Sequence, residues 1–295
     1  MTATIIDGNV VADKMRSEIK VQAEAFEQKH GYPPGLGVIL VGDDPASKMY
    51  VRMKRRACKR VGMHSVAHLM PTSSTQDEIL TCVRELNEDP KIHGILVQLP
   101  LPKHVDEQAV LREVVLEKDV DGFHPLNIGA LAMKGLEPSF TPATPTGVMA
   151  LLDEVGAELS GANAVIVGRS NIVGMPVSLM LLKRNATITI CHSRTKNTEE
   201  LVKAADVLVV AAGLPEYVKG DWIKPGAIVI DVGTNKIDDT DAEKGYRWVG
   251  DVDFDAAKEV AGAITIVPGG VGPMTITMLL QNTLKSAYRS VGEDT

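Results

Sequence analysis

The sequence predicts an α/β protein with two domains, and three observations support this prediction. Short apolar runs alternate with segments of helical length along most of the 295 residues, a pattern typical of parallel sheets connected by helices. A Pro-, Gly- and Thr-rich stretch at 138–147 interrupts the alternation, which then restarts. The chain is also long enough for two separate hydrophobic cores.

The composition is that of an ordinary soluble globular protein, with 44% hydrophobic and 23% charged residues. A formal net charge of −7 leaves no global basic field, so no nucleic-acid partner is predicted. The cysteines Cys58, Cys82 and Cys191 form no C-x-x-C pair, so neither a disulfide framework nor a metal site is predicted. We expect a cytoplasmic protein without a membrane span, because apolar runs of about 18 residues are absent and Asp7 and Asp13 oppose a signal peptide.

The first half of the chain predicts a β-α-β-α-β unit with parallel strands. In order, we expect a helix at 10–29, a strand at 36–42, a helix at 45–61, a strand at 65–70, a helix beginning at 74 and a strand at 92–102. Asp44 and Pro45 suit the start of the second helix, and Gly62 suits its end. Ser74 and Asp77 predict a capping box for the third helix.

The second half predicts a further parallel α/β unit, with 138–147 as the linker before it. After a helix at 146–156, we expect strands at 163–168, 187–192, 206–212 and 227–233, with helices at 173–184 and 198–204 between them. A glycine-rich turn and a long helix follow.

A turn with the sequence "VIVGRSNIVGMP", at 165–176, follows a predicted strand and precedes a predicted helix. Dinucleotide-binding turns of Rossmann-type domains occupy this context, and the first N–H groups of the helix face the pyrophosphate. Their G-x-G-x-x-G pattern is altered here, because Gly168 and Gly174 are present but Ser170 occupies the second glycine position. Arg169 adds a cation to the turn.

The segment "CHSRT", at 191–195, indicates which dinucleotide is bound. NAD enzymes place an Asp or Glu on the ribose 2′-hydroxyl about 20 residues after the turn. This segment has no acid and offers Ser193 and Arg194 instead. Together with Arg169 and Ser170, these side chains would bind a 2′-phosphate, so NADP is the predicted cofactor. The alternative interpretation is a plain strand–turn–helix corner with a surface arginine.

The predicted helix at 45–61 carries a candidate catalytic stripe. Polar and reactive side chains share one line of its surface: Ser47, Tyr50, Lys54 and Cys58. The neighbouring line is predicted to face the core: Ala46, Met49, Met53 and Ala57. This arrangement would place Tyr50 and Lys54 at the boundary between core and cleft. Because the helix has seven basic residues between 48 and 60, the alternative is that Lys54 is only a solvated charge.

Gln98 and Asp121 are predicted to complete this cluster. Gln98 ends the predicted third strand, and Asp121 lies in the turn "DVDGFHP". Open α/β sheets bind ligands at the carboxyl edge of their strands, where both residues are expected. Asp119 and His124 are rival candidates or simple turn residues. The glycine turn "VPGGVGP", at 267–273, either holds an anionic or amide group of a ligand or only ends a strand.

These segments make the sequence similar to the bifunctional methylenetetrahydrofolate dehydrogenase/cyclohydrolase family. The similarity extends over nearly the whole chain and follows the order of the family's motifs, which are "SKMYVRMK", "GILVQLPLP", "DVDGFHPLNIG", "TPATPTG", "GRSNIVGMPV", "CHSRT", "IDVGT" and "PGGVGPMT".

The resemblance implies two activities and a domain plan. The first activity oxidises 5,10-methylenetetrahydrofolate with NADP to 5,10-methenyltetrahydrofolate, and the second hydrolyses that product to 10-formyltetrahydrofolate. The implied fold has an N-terminal α/β folate-binding domain and a Rossmann-like NADP-binding domain with a cleft between them. We expect the first domain to comprise 1–142 and 275–295, because the family's last helix returns to it, and the second to comprise 143–274.

The resemblance also implies roles for individual residues. The catalytic residues would be Lys54, Tyr50, Gln98 and Asp121, with Tyr50 stacking on the folate, Lys54 serving the hydrolysis, Gln98 tuning Lys54 and Asp121 anchoring the pterin. Further substrate contacts are expected from Val51, Val97, Leu99, Pro268, Gly269, Gly270, Val271, Gly272 and Pro273. The cofactor would be lined by Gly168, Arg169, Ser170, Ser193 and Thr234.

The implied partners are tetrahydrofolate derivatives, polyglutamylated forms included, and a second copy of the chain in a homodimer. The implied biological setting is one-carbon metabolism and purine biosynthesis. Two alternatives stay open at this point, another NADP-dependent dehydrogenase of similar architecture and a non-catalytic NADP-binding protein.

Overall fold

The computed structural model describes residues 2–242 and 245–293. The chain packs as two compact units. The large-sheet unit comprises the residues up to Ala12 together with Thr144–Thr275, and the small-sheet unit comprises Asp13–Ala143 and the residues from Ile276 onward.

The secondary structure alternates as the sequence predicts. Its strands are β1 (Thr4–Ile6), β2 (Gly35–Val41), β3 (His64–Met70), β4 (Gly94–Val97), β5 (Asn163–Val167), β6 (Thr187–Cys191), β7 (Val207–Val210), β8 (Ile228–Asp231), β9 (Asn235–Asp238), β10 (Tyr246–Val249) and β11 (Ala263–Thr265). Its α-helices are α1 (Gly8–His30), α2 (Pro45–Arg60), α3 (Gln76–Glu88), α4 (Glu107–Glu113), α5 (Pro125–Ala132), α6 (Ala143–Glu154), α7 (Gly174–Lys183), α8 (Thr198–Lys203), α9 (Phe254–Ala257) and α10 (Val271–Ser290). None of the described helices is long and apolar enough to cross a lipid bilayer.

The small-sheet unit is built on a parallel sheet in the order β3-β2-β4. The central strand β2 is buried along its whole length, because it has a neighbouring strand on each side and packs against α2 and α3. Its residue Ile39 pairs with Val97 at the carboxyl end of β4. The predicted third strand, at 92–102, is shorter in the structure, since the chain leaves the sheet after Val97. The strand therefore delivers Gln98 to the carboxyl edge of the sheet.

The ends of α2 and α3 show how local sequence starts these helices. The Asp44 side chain accepts a hydrogen bond from the Ser47 N–H at 2.7 Å, as predicted for the cap of α2. The predicted capping box of α3 is wrong by one residue. Thr75 and Glu78 form it instead, with the Thr75 N–H donating to the Glu78 carboxylate at 2.8 Å, because Glu reaches back to the cap more readily than Asp does.

The predicted core stripe of α2 is wrong for Ala46, Met49 and Met53, which are exposed, and right for Ala57, which is buried. Met49 and Met53 are 42% and 45% exposed, and the buried residues of the helix are Ser47, Val51, Lys54, Ala57 and Cys58. The helix is turned so that the stripe predicted to lie at the core boundary is itself packed inward. Lys54 is therefore far less exposed than the sequence indicates.

The large-sheet unit contains a parallel sheet whose described strands follow the order β1-β11-β8-β7-β5-β6. Residues 1–12 were predicted to belong to the first domain, but β1 pairs with β11 in this sheet through Thr4 and Ala263. A strand of three residues is too short for its burial pattern to identify it in the sequence. The antiparallel pair β9–β10 is a further element that the sequence analysis did not predict. The predicted linker at 138–147 is partly helical, because α6 begins at Ala143.

Candidate active site and cofactor site

The turn after β5 has the geometry of a nucleotide-binding turn. Gly168 has a φ of 130°, and a side chain there would overlap the Ala211 carbonyl. A side chain on Gly174 would overlap the Gly168 carbonyl in the same way. Both glycines that the sequence retains are therefore required for the close approach between the end of β5 and the start of α7.

The position of this turn in the sheet supports a ligand site. β5 pairs with β6 on one side and with β7 on the other, so the strand order reverses at β5. Open parallel sheets bind ligands at such a reversal, beyond the carboxyl ends of the strands. The first turn of α7 begins there, and its N–H groups favour an anion such as a pyrophosphate.

Arg169 and Ser170 differ in what they can offer a ligand. Both are exposed, and the described residues form no ion pair with Arg169 within 4 Å. The Ser170 hydroxyl accepts hydrogen bonds from the N–H groups of Val173 and Gly174 at 3.2 and 3.4 Å. Ser170 therefore helps to shape the turn, and its hydroxyl hydrogen is still available to a ligand oxygen.

The "HSRT" segment lies directly beside this turn. The Gly168 N–H donates to the Cys191 carbonyl at 2.9 Å, which joins the end of β5 to the end of β6. The His192 N–H donates to the Thr195 hydroxyl at 2.8 Å, and this bond closes a tight loop. Ser193 and Arg194 are exposed on that loop. Together with Arg169 they form an acid-free edge, which suits a 2′-phosphate.

Thr234, the remaining predicted cofactor residue, is exposed just after β8. Two buried carboxylates near it, Asp231 and Asp251, were not predicted from the sequence. The Asp251 carboxylate accepts from the N–H groups of Ala212 and Gly213 at 2.6 and 2.8 Å, and from the Asn235 side chain at 2.8 Å. It thus holds the loop after β7 together with the residue that follows Thr234.

Asp231 holds the backbone at Asp251 in place. Its carboxylate accepts from the N–H groups of Asp251 and Val252, both at 2.9 Å. Burial raises the pKa of Asp231 to about 7, although these N–H groups favour its charged form. A side chain on Gly250 would overlap Asp231, and one on Gly233 would overlap Asp251. The signal in the sequence was an acid at a strand end next to a glycine, in "IDVG" and in "VGDVD".

In the small-sheet unit, Lys54 and Gln98 form a hydrogen-bonded pair. The Lys54 ammonium donates to Gln98 Oε1 at 3.1 Å, and Gln98 Nε2 donates to the Leu99 carbonyl at 2.9 Å. The Gln98 N–H is bound to the Ile39 carbonyl at 2.9 Å, so the backbone of this residue is held by β2. Lys54 is 8% exposed, and burial lowers its pKa. Tyr50, one helical turn earlier, is half-buried.

Asp121 belongs electrostatically to the same cluster. Its negative charge opposes the lowering of the pKa of Lys54. In the reverse direction, burial raises the pKa of Asp121 and the Lys54 charge opposes this rise. The structure therefore brings Lys54, Gln98 and Asp121 together, as predicted, at the carboxyl end of β4.

The rival candidates Asp119 and His124 hold the turn that presents Asp121. The Asp119 carboxylate accepts from the His124 N–H at 2.8 Å and from the Asn127 side chain at 2.7 Å. Burial raises the pKa of Asp119 to about 7, against the effect of these donors. His124 caps α5, with Nδ1 accepting from the Leu126 N–H at 3.2 Å. Both residues are engaged in turn geometry, which leaves Asp121 as the candidate for ligand contact.

The other predicted substrate contacts are of two kinds. Val51 and Val97 are buried in the core, so only their backbones remain for contact with a substrate, whereas Leu99 is half-buried. The predicted glycine turn belongs to the large-sheet unit and comprises Pro268, Gly269, Gly270, Val271, Gly272 and Pro273. A side chain on Gly8 would overlap the Gly270 carbonyl, so this turn packs closely on the start of α1.

Among the described residues, no group of three or more His, Cys, Asp or Glu side chains could hold a metal ion.

Two sequence models match the two halves of the chain, with bounds that differ from those of the packed units at residues 6–12 and 276–291. The sequence model described as tetrahydrofolate dehydrogenase/cyclohydrolase, catalytic domain, matches residues 6–121. The model described as tetrahydrofolate dehydrogenase/cyclohydrolase, NAD(P)-binding domain, matches residues 142–291.

Individual relatives match over almost their full length. Bifunctional protein FolD 2 of Geobacter sulfurreducens is 56% identical over 285 residues, which cover 97% of each chain. Bifunctional protein FolD 2 of Arabidopsis thaliana is 53% identical over 292 residues, covering 99% of this chain and 98% of the relative. The crystal structure of Trypanosoma brucei N5,N10-methylenetetrahydrofolate dehydrogenase-cyclohydrolase, complexed with NADP cofactor and inhibitor, has a TM-score of 0.96 and 42% identity over 99% of both chains. The chain therefore belongs to the tetrahydrofolate dehydrogenase/cyclohydrolase family.

Proposed function

We propose that this protein catalyses two consecutive reactions of one-carbon metabolism. It oxidises 5,10-methylenetetrahydrofolate with NADP to 5,10-methenyltetrahydrofolate, and it hydrolyses the methenyl compound to 10-formyltetrahydrofolate. The observation that carries this proposal is the buried Lys54–Gln98 pair beside Asp121, in a chain that also has the glycine turn of a dinucleotide site. The alternatives, another NADP-dependent dehydrogenase or a non-catalytic NADP-binding protein, are not favoured by the relatives, which are bifunctional proteins.

A coupled assay tests the proposal directly. Methylenetetrahydrofolate is supplied with NADP, and the absorbance of methenyltetrahydrofolate is followed as it forms and decays. We expect enzyme-dependent formation followed by enzyme-dependent decay. Absence of either phase, after subtraction of the spontaneous reactions, would contradict the corresponding activity.

The residues of the cofactor site fit NADP. We propose that Gly168 and the start of α7 hold the pyrophosphate, that Arg169, Ser170 and Ser193 hold the 2′-phosphate, and that Thr234 contributes a further contact. Bound there, NADP would accept a hydride from the substrate. The task of the protein in that step is to hold the methylene carbon in position, because the folate N5 and N10 lone pairs already stabilise the cation that forms.

The hydrolysis requires a base, and Lys54 has the environment of one. Burial lowers its pKa, and a bound methenyl cation would lower it further through like-charge repulsion. The neutral amine accepts a proton from the attacking water as the new C–O bond forms at the methenyl carbon. Transfer of that proton to N5, together with loss of the remaining hydroxyl proton to solvent, then allows the C–N5 bond to break as the C=O bond forms, which leaves the formyl group on N10.

The other site residues position the substrate. We propose that Tyr50 stacks on the folate ring and that Asp121 accepts hydrogen bonds from the pterin amino group and ring N–H. Gln98 orients the Lys54 amine through the 3.1 Å hydrogen bond. The backbones of Val51, Val97 and Leu99, and the turn at 268–273, are the further proposed substrate contacts.

The choice of NADP over NAD gives a specific prediction for Arg169. The Arg169→Ala variant should raise the KM for NADP at least tenfold and leave the KM for NAD nearly unchanged. Loss of a charge-assisted phosphate contact costs about 1.5–3 kcal/mol, and only NADP has the 2′-phosphate. Steady-state kinetics with both cofactors measure this difference. Arg184→Ala is the matched control, since Arg184 lies at the other end of α7 and pairs with Asp153 on the surface. Equal changes for both cofactors would contradict the phosphate role.

We further propose a homodimer, polyglutamylated folates as substrates, a cytoplasmic location and a role in purine biosynthesis. An open strand edge with an exposed apolar side chain supports the homodimer. β3 pairs with β2 but, among the described residues, with no strand on its other side, and its residue Leu69 is 67% exposed.

The charge of α2 supports polyglutamylated substrates. The exposed cations of this helix, such as Arg52, Arg55 and Arg56, would suit the negative charge of a polyglutamate tail.

A further inference from the structure

A cavity lies in the small-sheet unit, away from Lys54, Gln98 and Asp121. Its volume is about 400 Å³, and it is lined by Tyr32, His93, Phe140, Ser286, Arg289 and Ser290, among others. His93 directly precedes the amino end of β4, whereas Gln98 follows the carboxyl end of the same strand. The cavity is therefore at the edge of the sheet opposite to the catalytic cluster, and it has the size of a small-molecule site.

The His93 side chain contributes an unused hydrogen-bond donor. The ring is 2% exposed, and its Nδ1 accepts from the Gly35 N–H at 2.9 Å. Burial, reinforced by the Lys118 charge, lowers the pKa of His93 to about 4, so the ring is neutral at pH 7 and carries its proton on Nε2. This Nε2–H is buried and has no hydrogen-bond partner among the described residues. A buried donor without an acceptor destabilises a protein, and a ligand acceptor atom would remove that cost.

Aromatic rings form walls that suit a planar ligand. Tyr32 stacks on His93 with a ring-centroid distance of 5.9 Å and an interplanar angle of 3°. The centroid of the buried Phe140 ring lies 5.6 Å from the Arg289 guanidinium carbon and 5.8 Å from the Lys285 ammonium nitrogen. Flat rings can pack against such walls without the loss of rotamer freedom that a flexible chain would incur.

The charges around the cavity favour an anion. Arg289 donates one hydrogen bond to the Ser139 carbonyl at 3.0 Å, and a guanidinium has five N–H donors in all. Lys118 also lines the cavity, but its ammonium is engaged with the Leu86, Asn87 and Asp89 carbonyls at 2.8–3.0 Å. Lys118 therefore contributes positive charge to the cavity but has no hydrogen-bond donor left for a ligand. Glu117 is the acidic residue of the lining and is exposed.

We propose that this cavity is a binding site for a small planar aromatic carboxylate, separate from the folate and NADP sites. An acceptor oxygen of the ligand receives the His93 Nε2–H, the ring packs among the aromatic walls, and Arg289 balances the negative charge. Binding needs no covalent step and no cofactor.

The test uses benzoate as the probe and the full-length protein labelled with ¹⁵N. The His93 Nε2–H signal is assigned by its loss in His93→Gln. Benzoate should shift this signal saturably, with a Kd on the order of 1 mM or tighter. Benzamide, which has the same ring and an acceptor but no charge, should bind at least about tenfold more weakly, the smallest ratio that a full charge-assisted bond gives.

Two surface variants keep the proposal testable if one of them folds poorly. Arg289→Gln should weaken benzoate binding at least about tenfold, and Ser290→Trp should abolish it by filling the cavity. Arg112→Gln is the control, because Arg112 is exposed on α4 and does not line the cavity. Both dehydrogenase and cyclohydrolase activities should persist in all three variants. The proposal is overturned if the Nε2–H signal does not respond to benzoate, if benzamide binds equally well, or if neither Arg289→Gln nor Ser290→Trp alters binding.

Discussion

Replacement of Lys54 by methionine is expected to reduce cyclohydrolase activity at least about 10²-fold, the usual scale of general acid–base help. This factor corresponds to about 2.7 kcal/mol of transition-state free energy. Dehydrogenase activity should fall much less, because that step depends on the position of the substrate and not on a protein base. Methionine retains the length and the apolar stem of lysine, so the buried packing of α2 should survive. In the coupled assay, methenyltetrahydrofolate should accumulate without its usual decay.

The control for this prediction is Lys59→Met on the same helix. Lys59 is exposed, so its replacement should leave both activities near those of the wild type. The pH profile provides a second readout. Because burial lowers the pKa of Lys54, the wild-type cyclohydrolase rate should rise with pH through that lowered pKa as the neutral amine forms. The Lys54→Met variant should lose this rise. Wild-type rates of methenyltetrahydrofolate hydrolysis in this variant would rule out the proposed base.

Replacement of Asp121 by alanine is expected to damage both activities, each at least about 10²-fold in kcat/KM. The carboxylate is proposed to accept two hydrogen bonds from the pterin, and a hydrogen bond to a charged group contributes about 1.5–3 kcal/mol. Both reactions need the same bound folate, so the loss should be shared, in contrast to the selective loss at Lys54. Isothermal titration calorimetry should show a matching loss of folate affinity.

Asp121 also acts on Lys54, which gives this variant a signature beyond weaker binding. Its negative charge raises the pKa of Lys54, so the residual cyclohydrolase activity of Asp121→Ala should have a pH profile displaced to lower pH. Asp77→Ala is the control, because Asp77 is exposed on α3 and should alter neither affinity nor profile. Folate affinity equal to that of the wild type would exclude an anchoring role for Asp121.

Much of the candidate site could be predicted from local sequence. Gly168 and Gly174 identify the nucleotide turn, because only glycine tolerates the close backbone contacts that the structure shows there. The end of a buried parallel strand places Gln98 at the ligand-binding edge of its sheet. What local sequence could not show is the support of the site. Asp231 and Asp251 bind backbone N–H groups of loops distant in the sequence, and such partners are known only once the chain has folded.

The sequence by itself determined the alternation of strands and helices, the start of α2 at Asp44 and Pro45, and the family. Each of these depends on neighbours in the chain, or on motifs that remain recognisable without coordinates. The tertiary structure alone decided which face of α2 is buried, so that Lys54 is inside while Met49 and Met53 are outside. It also decided that β1 joins the large sheet by pairing with β11. The physical reason is the same in both cases. The sequence can show that a helix has an apolar stripe or that three residues can form a strand. Which face is buried and which strand is paired depends on the element that packs against them, and that element is distant in the sequence.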